Sequence, residues 1–498
     1  MASTVMFSAG DRVEHRDYGT GTIEAVLGSK AVVKFFGGGQ AQIEVDELQA
    51  LHEKVSDVAA ATFGEPQSDR TMFRRALEAV NLGVVPPDAP ALRDLTIEGN
   101  STSKQVKRWL GNAHKDGLCK VAFGYYGAGK SHYLHLAKAI ALEAGWAVSY
   151  VEFDPKAADP AKPQLVYRAL TEKLEFPARQ DGSTIYGLRG LLREAWKEYA
   201  KLKDLPLLRS SRWFSKGLET LRYCSPREDD EEFQSISLWL EGHSAFSTAV
   251  RKIARNYGVQ AAAIPPMPAT LETAEIYVFH IAVLGELCRA LGYTGLLLTI
   301  DEAEHVRGFN VKRRERANTF FDILARSAHA PLPVDPPPRL NDHGLELPDY
   351  WRKGPHFGLL VGMTPGDIFS DPELALREAC VFLFGPEDKI PLEPPSADAY
   401  KSWCEALFEK FSLHYPEYAG LLKSPEDRHD LGGVLAQEFA KLPVSDIVLR
   451  VWVKLACLVP SILMVHPPPT LDHLSAIIRI AAQEATVPPV PWENGFSV

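Results

Sequence analysis

Gly124-Tyr125-Tyr126-Gly127-Ala128-Gly129-Lys130-Ser131 is the stretch that decides the fold of this chain. It fits G-x-x-x-x-G-K-[ST], the phosphate-binding P-loop. The preceding Val121-Ala122-Phe123 is an apolar run suited to a buried strand. From His132 to Leu142, apolar residues recur at helical spacing: Leu134, Ala137, Ile140 and Ala141. Strand, loop and helix in that order are the context the motif needs. Its glycines let backbone N–H groups converge on phosphate oxygens, and the helix N-terminus adds the positive end of its dipole. The expected ligand is ATP with Mg²⁺. Gly124, Gly127, Ala128, Gly129, Lys130 and Ser131 would line the nucleotide, Lys130 reaching the β- and γ-phosphates and Ser131 holding the metal.

A second signal lies at Gly295-Leu296-Leu297-Leu298-Thr299-Ile300-Asp301-Glu302-Ala303-Glu304. An apolar strand ending in Asp-Glu is the Walker B pattern. Asp301 is expected in the Mg²⁺ shell opposite Ser131, and Glu302 is expected to orient or deprotonate the attacking water. The alternative is a strand edge with two capping carboxylates. Ala147 to Phe153 is a further buried strand, and with the P-loop helix before it makes a βαβ unit and hence a parallel sheet. Gly145 is placed at the end of that helix. Residues 164–200 read as helical, and 205–275 are less legible. The acidic run Glu228 to Glu232 suits a solvated loop or helix face. Glu272 to Leu291 is a helix closed by Gly292. His356 to Gly366 reads as another core strand with a polar tip at Thr364.

Arg307 and Lys312-Arg313-Arg314-Glu315-Arg316 precede an apolar helix carrying Phe320-Phe321 and Leu324. Such a run is a solvated face, or a local patch toward DNA or a neighbouring subunit's nucleotide. A helix over Asp371 to Ala379 carries Arg377, either an arginine finger or a surface arginine. The net charge is −10, from 54 Lys and Arg against 64 Asp and Glu, so any DNA contact must be local. The six cysteines are scattered, without zinc spacing, as in a reduced cytoplasmic protein. The N-terminus lacks a signal-peptide pattern, and Lys454 and Pro460 break the most apolar segment, Val451 to Val465, so no membrane span is expected.

Residues 7–52 read as short strands at regular spacing: Arg12 to His15, Thr22 to Val26, Ala31 to Phe36 and Ala41 to Val45. Tyr18-Gly19-Thr20-Gly21, Gly28-Ser29 and Gly37-Gly38-Gly39 are the turns. This stretch resembles the Tudor-like barrel of UvrD/PcrA-type helicases and CarD-type RNA polymerase-binding proteins. The resemblance rests on Gly10 to Val13, His15, Tyr18 to Ile23 and Val32 to Phe35, and implies protein contacts. Residues 1–52 hold seven acidic and four basic side chains, a poor phosphate-binding balance. The alternative is a stabilising appendage.

The set Phe123–Ser131, Tyr150–Asp154, Leu165-Val166-Tyr167-Arg168-Ala169-Leu170, Gly295–Glu304 and Leu359–Pro365 resembles the BREX-type ATP-binding proteins of bacterial phage-defence operons. These are relatives of the origin-recognition and STAND branches of AAA+ ATPases. The resemblance covers roughly residues 95–470. It implies an ATPase acting beside companion defence proteins such as a helicase or a methyltransferase. It gives Thr364 the sensor 1 position, where a hydrogen bond reaches the γ-phosphate or the lytic water. Arg450, in a C-terminal lid helix, becomes either the sensor 2 arginine or a surface residue. The expected architecture is α/β: a P-loop NTPase parallel sheet with helical insertions and a helical C-terminal lid, preceded by a small all-β barrel. The boundaries are 1–55 barrel, 56–94 connector with one helix over Arg70 to Val80, 95–390 ATPase core, and 391–498 lid, with or without a winged helix. A motor or switch, an ATP-gated scaffold with negligible turnover, and an RNA polymerase-docking regulator are the functions weighed.

Overall fold

The structure is a computed structural model. It describes residues 12–15, 19–35, 40–45, 48–50, 69–179, 182–227, 229–269, 273–329, 347–364, 388–443, 448–465 and 470–486. By its internal contacts the chain divides into two compact units. One gathers 1–64, 145–298 and 308–358, the other 65–144, 299–307 and 359–498.

The first five strands are β1 (Arg12–His15), β2 (Gly19–Leu27), β3 (Lys30–Phe35), β4 (Gln40–Glu44) and β5 (Leu48–Ala50). They form an antiparallel sheet of order β4-β3-β2-β1-β5. The expected turn at Tyr18 to Gly21 is corrected: His15 pairs with Gly19 and Val13 with Gly21, so Gly19–Gly21 belong to β2. Two-residue alternation puts Val13, Ile23, Ala31, Val33 and Ile43 into one small core. Glu24 of β2 is bound by Arg168 at 3.1 Å, and His243 Nδ1 stands 3.7 Å from it. A β-carbon at Gly28 would strike the Glu231 carboxylate.

Among the described residues the second sheet has six strands: β6 (Cys119–Phe123), β7 (Ala147–Glu152), β8 (Leu174–Glu175), β9 (Leu296–Asp301), β10 (Gly358–Met363) and β11 (Lys389–Pro391). Its order is β11-β6-β10-β9-β7-β8. Every residue of β9 and of β10 is buried, as near-continuous apolar strands of a covered parallel sheet should be. The sheet is mostly parallel; β8, where the sequence suggested only helix, pairs antiparallel with β7. Among the described residues, the illegible 205–275 stretch holds short α-helices at 206–210, 212–221, 231–240 and 247–256, with 3-10 turns at 244–246 and 261–263. Within the acidic run, Asp230 caps the third of these, accepting from Phe233 N at 2.7 Å.

The basic run is also corrected. Lys312 to Arg316 do not precede the apolar helix but lie in its first turns, because the helix spans Val311–Ala328 with Asn310 as N-cap. Arg313 pairs with the fully buried carboxylate of Asp159 at 3.0 Å and stacks over Phe309, 3.7 Å from its ring centre. That residue is therefore a packing element and not a free contact surface.

In the other unit, Phe73, Ala76, Leu77 and Val80 form the buried stripe of helix Asp69–Leu82. The helix stops at Gly83, whose φ of +74° closes it: Val84 N bonds Ala79 O at 2.8 Å. A further short helix, Ala89–Asp94, falls where the sequence suggested plain connector. The C-terminal helices Ala397–His414, Pro425–Ala440, Leu449–Val465 and Leu471–Thr486 share a core with these two. At its centre Tyr400 stacks on Phe439 (4.6 Å between ring centres) and donates to Trp452 O at 2.7 Å. Burying each such aromatic contributes roughly 1.5–3 kcal/mol. Among the described residues no helix is long and apolar enough to cross a membrane.

Candidate functional site

The loop that follows β6 runs into helix Lys130–Glu143, held in place by Leu134, Leu136, Ala137, Ile140 and Ala141 on the buried side. Gly129 occupies the N-cap with φ +93°, and no side chain caps the helix. The first turn therefore presents amide donors with no side-chain acceptor on them. An ideal β-carbon at Gly129 would meet nothing within 4 Å, so there is open room at the helix mouth. Gly124 and Gly127 are the opposite case. A β-carbon there would stand 2.7 Å from Ala128 Cβ and 2.9 Å from Val448 Cγ1 respectively. Lys130 is buried, and its ammonium donates to Gly124 O at 3.1 Å and Tyr125 O at 3.4 Å.

Open space, uncapped amides and a lysine held on neutral carbonyls fit a polyphosphate. A phosphate oxygen is a stronger acceptor for an ammonium than a carbonyl is.

β10 pairs with β6 in parallel register, Met363 opposite Phe123, and Gly124 N bonds Met363 O at 3.4 Å. Thr364, the next residue, thus sits level with the start of the loop. β10 also separates β6 from β9, which carries Asp301 at its C-terminal end. Asp301 is buried and accepts Glu302 N on Oδ1 at 2.9 Å. Gly362 leaves room for that carboxylate: a β-carbon there would be 2.7 Å from Oδ1. Among the described residues no three His, Cys, Asp or Glu side chains form a metal cluster. Mg²⁺ needs none here, since it is commonly held by one or two protein oxygens with phosphate and water. Asp301 and Ser131 are of the right donor type.

Glu302 adopts φ +58°, the left-handed region that side chains avoid. Burial, then Glu304 and Asp301, push its carboxyl above the usual range, while Lys130 and His305 pull it back. His305 Nε2 lies 3.8 Å from it. On the P-loop helix, burial and Lys138 lower His135 to about 4 against the opposing pull of Asp301; burial and His135 lower His132 to about 4. Both imidazoles are neutral at physiological pH. His132 Nε2 is 2.7 Å from Thr96 Oγ1, whose hydroxyl donates to Leu92 O.

Arg450 lies against the loop. Its backbone N–H donates to Gly127 O at 3.1 Å. Its guanidinium donates to Tyr126 Oη at 2.8 Å and to Gly83 O at 2.7 Å through Nη2. The geometry thus brings the loop, Asp301, Glu302, Thr364 and Arg450 into one unit. Arg377 falls outside the described residues. Tyr126, Gly83 and Gly362 were missed from sequence. Tyr126 stands at a variable position of the motif, and nothing local marks a glycine that faces a carboxylate on the next strand.

A mostly parallel sheet with a glycine-rich strand–loop–helix is compatible with the P-loop class of nucleotide-binding folds. A family model described as BREX system ATP-binding protein BrxC/D matches residues 69–196 and 193–327, together just over half of the 498 residues. The chain belongs to that family, the ATP-binding components of BREX phage-defence systems. No curated protein matches it.

Proposed function

We propose that the chain is an Mg²⁺-dependent ATPase that serves as motor or switch of its BREX complex. The observation that carries this is Glu302. It is held in a costly backbone conformation, next to the buried Asp301, with its carboxyl shifted toward the range of a working base. Lys130 would leave its carbonyls for the β- and γ-phosphates, and the amides of the helix N-terminus would bind phosphate oxygens. Mg²⁺, when bound through Ser131 and Asp301, neutralises phosphate charge. Glu302 would accept a proton from water, Thr364 would hydrogen-bond that water or the terminal phosphate, and Arg377 would complete the site of a neighbouring copy. The position of β10 between β6 and β9 supports the AAA+-like assignment of Thr364.

The five-stranded sheet would act as a Tudor-like barrel for protein contacts, its acidic balance suiting a protein partner. Companion BREX proteins such as a helicase or methyltransferase are the partners, DNA would touch only a local basic patch, and the cytoplasm is the compartment. Steady-state turnover with and without DNA tests this: hydrolysis by the unaltered chain that Glu302→Gln abolishes supports it. Binding of ATP without turnover would leave an ATP-gated scaffold instead.

A further inference from the structure

Arg450 has two jobs to choose between, and the structure shows one of them. Among the described residues its side chain is bonded to neutral acceptors: the Gly83 carbonyl, at 3.2 Å from Nε and 2.7 Å from Nη2, and the Tyr126 hydroxyl, 2.8 Å from Nη1. The Tyr126 ring also lies 5.7 Å below the guanidinium carbon. Each acceptor is built for the contact. Gly83 is the left-handed residue that ends helix Asp69–Leu82, and a β-carbon on it would stand 2.9 Å from Arg450 Nε. Tyr126 is in the P-loop itself and is well exposed, and its hydroxyl accepts from Arg450. Meanwhile the Arg450 amide is bonded to Gly127 O, two residues before the open mouth at Gly129. Lys130 shows the same pattern, its charge resting on the carbonyls of Gly124 and Tyr125.

We propose that Tyr126 is a positioning residue which, with the Gly83 carbonyl, parks Arg450 beside the nucleotide site, and that a terminal phosphate at Gly129 draws the guanidinium off this rest. The inference rests on the ATP-binding reading above. A guanidinium gains more from an anionic, bidentate phosphate than from a carbonyl and a phenol. The exchange therefore favours the ligand with the most terminal charge, and the parking contact is what that ligand must break. Because Arg450 lies in the first turn of helix Leu449–Val465, leaving the rest position shifts the start of that helix. Nucleotide state is then read out at the C-terminal helices through a tyrosine that does no chemistry.

The test uses the full chain with Tyr126→Phe, which keeps the ring and removes only the acceptor, with Arg450→Gln, and with both. Without nucleotide, hydrogen exchange of the amides of residues 450–453 should quicken in Tyr126→Phe. By calorimetry, Tyr126→Phe should bind ATP about threefold to tenfold tighter, a change of the size of one hydrogen bond, and ADP about equally. Arg450→Gln should bind ATP more weakly, and adding Tyr126→Phe to it should change nothing. Unaltered exchange in nucleotide-free Tyr126→Phe would overturn the parking contact whatever ATP does. Equal effects of Tyr126→Phe with and without Arg450 would overturn the exchange. Failure of the unaltered chain to bind ATP would remove the ATP-binding reading as well, and so is told apart from failure of this inference alone.

Discussion

Gly362 and Asp301 are in contact across neighbouring strands, the carboxylate occupying the place where a side chain on Gly362 would be. Gly362→Ala must push the Asp301 carboxylate aside or bend β10. Overpacking of this kind costs about 1–3 kcal/mol. The expected result is a lower unfolding midpoint and a loss of Mg²⁺-dependence in ATP binding, measured by urea denaturation and by titration with and without the metal. Unchanged behaviour on both would show that the carboxylate has another place to go.

Glu302 offers a separable prediction. Glu302→Gly relieves the positive φ and should stabilise the fold by about 1 kcal/mol while ending turnover. Glu302→Gln keeps the strain. Its folded carboxyl is raised, so its contribution to stability is full below the unfolded pKa and is lost as pH rises through the folded one. At neutral pH, Glu302→Gln should therefore stabilise slightly, and not below pH 4. Hydrolysis by the unaltered chain should fall as acid protonates this group. Urea midpoints at several pH values, beside a pH–rate profile, check both.

Gly129→Ala should leave the chain folded at a cost of about 1–2 kcal/mol, the strain of a left-handed alanine. It also puts a methyl group into the open helix mouth. ATP binding should drop at least tenfold, as it should for Lys130→Ala. Calorimetry beside a melting curve distinguishes lost binding from lost fold.

At the far end of the chain, Glu438 is buried beneath Arg479, Lys441 and Ser475, accepting from Arg479 Nε at 3.0 Å. Hydrogen bonding to Arg479 leads the causes that hold its carboxyl down at about 2. A depressed folded pKa gives stability that is present above the unfolded value and lost as pH falls toward 2. Glu438→Gln should flatten the acid limb of the stability curve. Its effect near pH 7 should be about 1–3 kcal/mol, as for a buried charged hydrogen bond.

Arg313→Ala would leave the Asp159 carboxylate buried without its cation, and should cost about 3–5 kcal/mol. The exposed Lys312→Ala should stay within about 0.5 kcal/mol. If Lys312→Ala nevertheless weakens binding of duplex DNA, a local patch is at work; Arg313 is not the residue to probe it with.

Much of the architecture was legible because its signals are local. The P-loop strand and helix, β9 and β10 are long apolar or periodic runs, and Gly145 and Gly292 mark helix ends. What was missed depends on partners distant in sequence. β8 and β11 have only two and three residues, too few for a periodic pattern. The basic run was misplaced because cations are disfavoured at a helix N-terminus; here Asp159 and Phe309 outweigh that preference for Arg313. In the site, residue types were readable, but not the left-handed backbone of Glu302, the contact of Gly362 with Asp301, or the hold of Tyr126 and Gly83 on Arg450. Each joins residues that only the fold brings together.

The small N-terminal sheet carries its own apolar core, and among the described residues its contacts with the body of its unit include Glu24 with Arg168 and His243, and Glu231 beside Gly28. A seam of charges differs from a seam of hydrocarbon in what it costs to open. Parting the Glu24–Arg168 pair returns two ions to water. Added salt would weaken this contact, and a partner able to supply its own acid to Arg168 would compete with Glu24 for it.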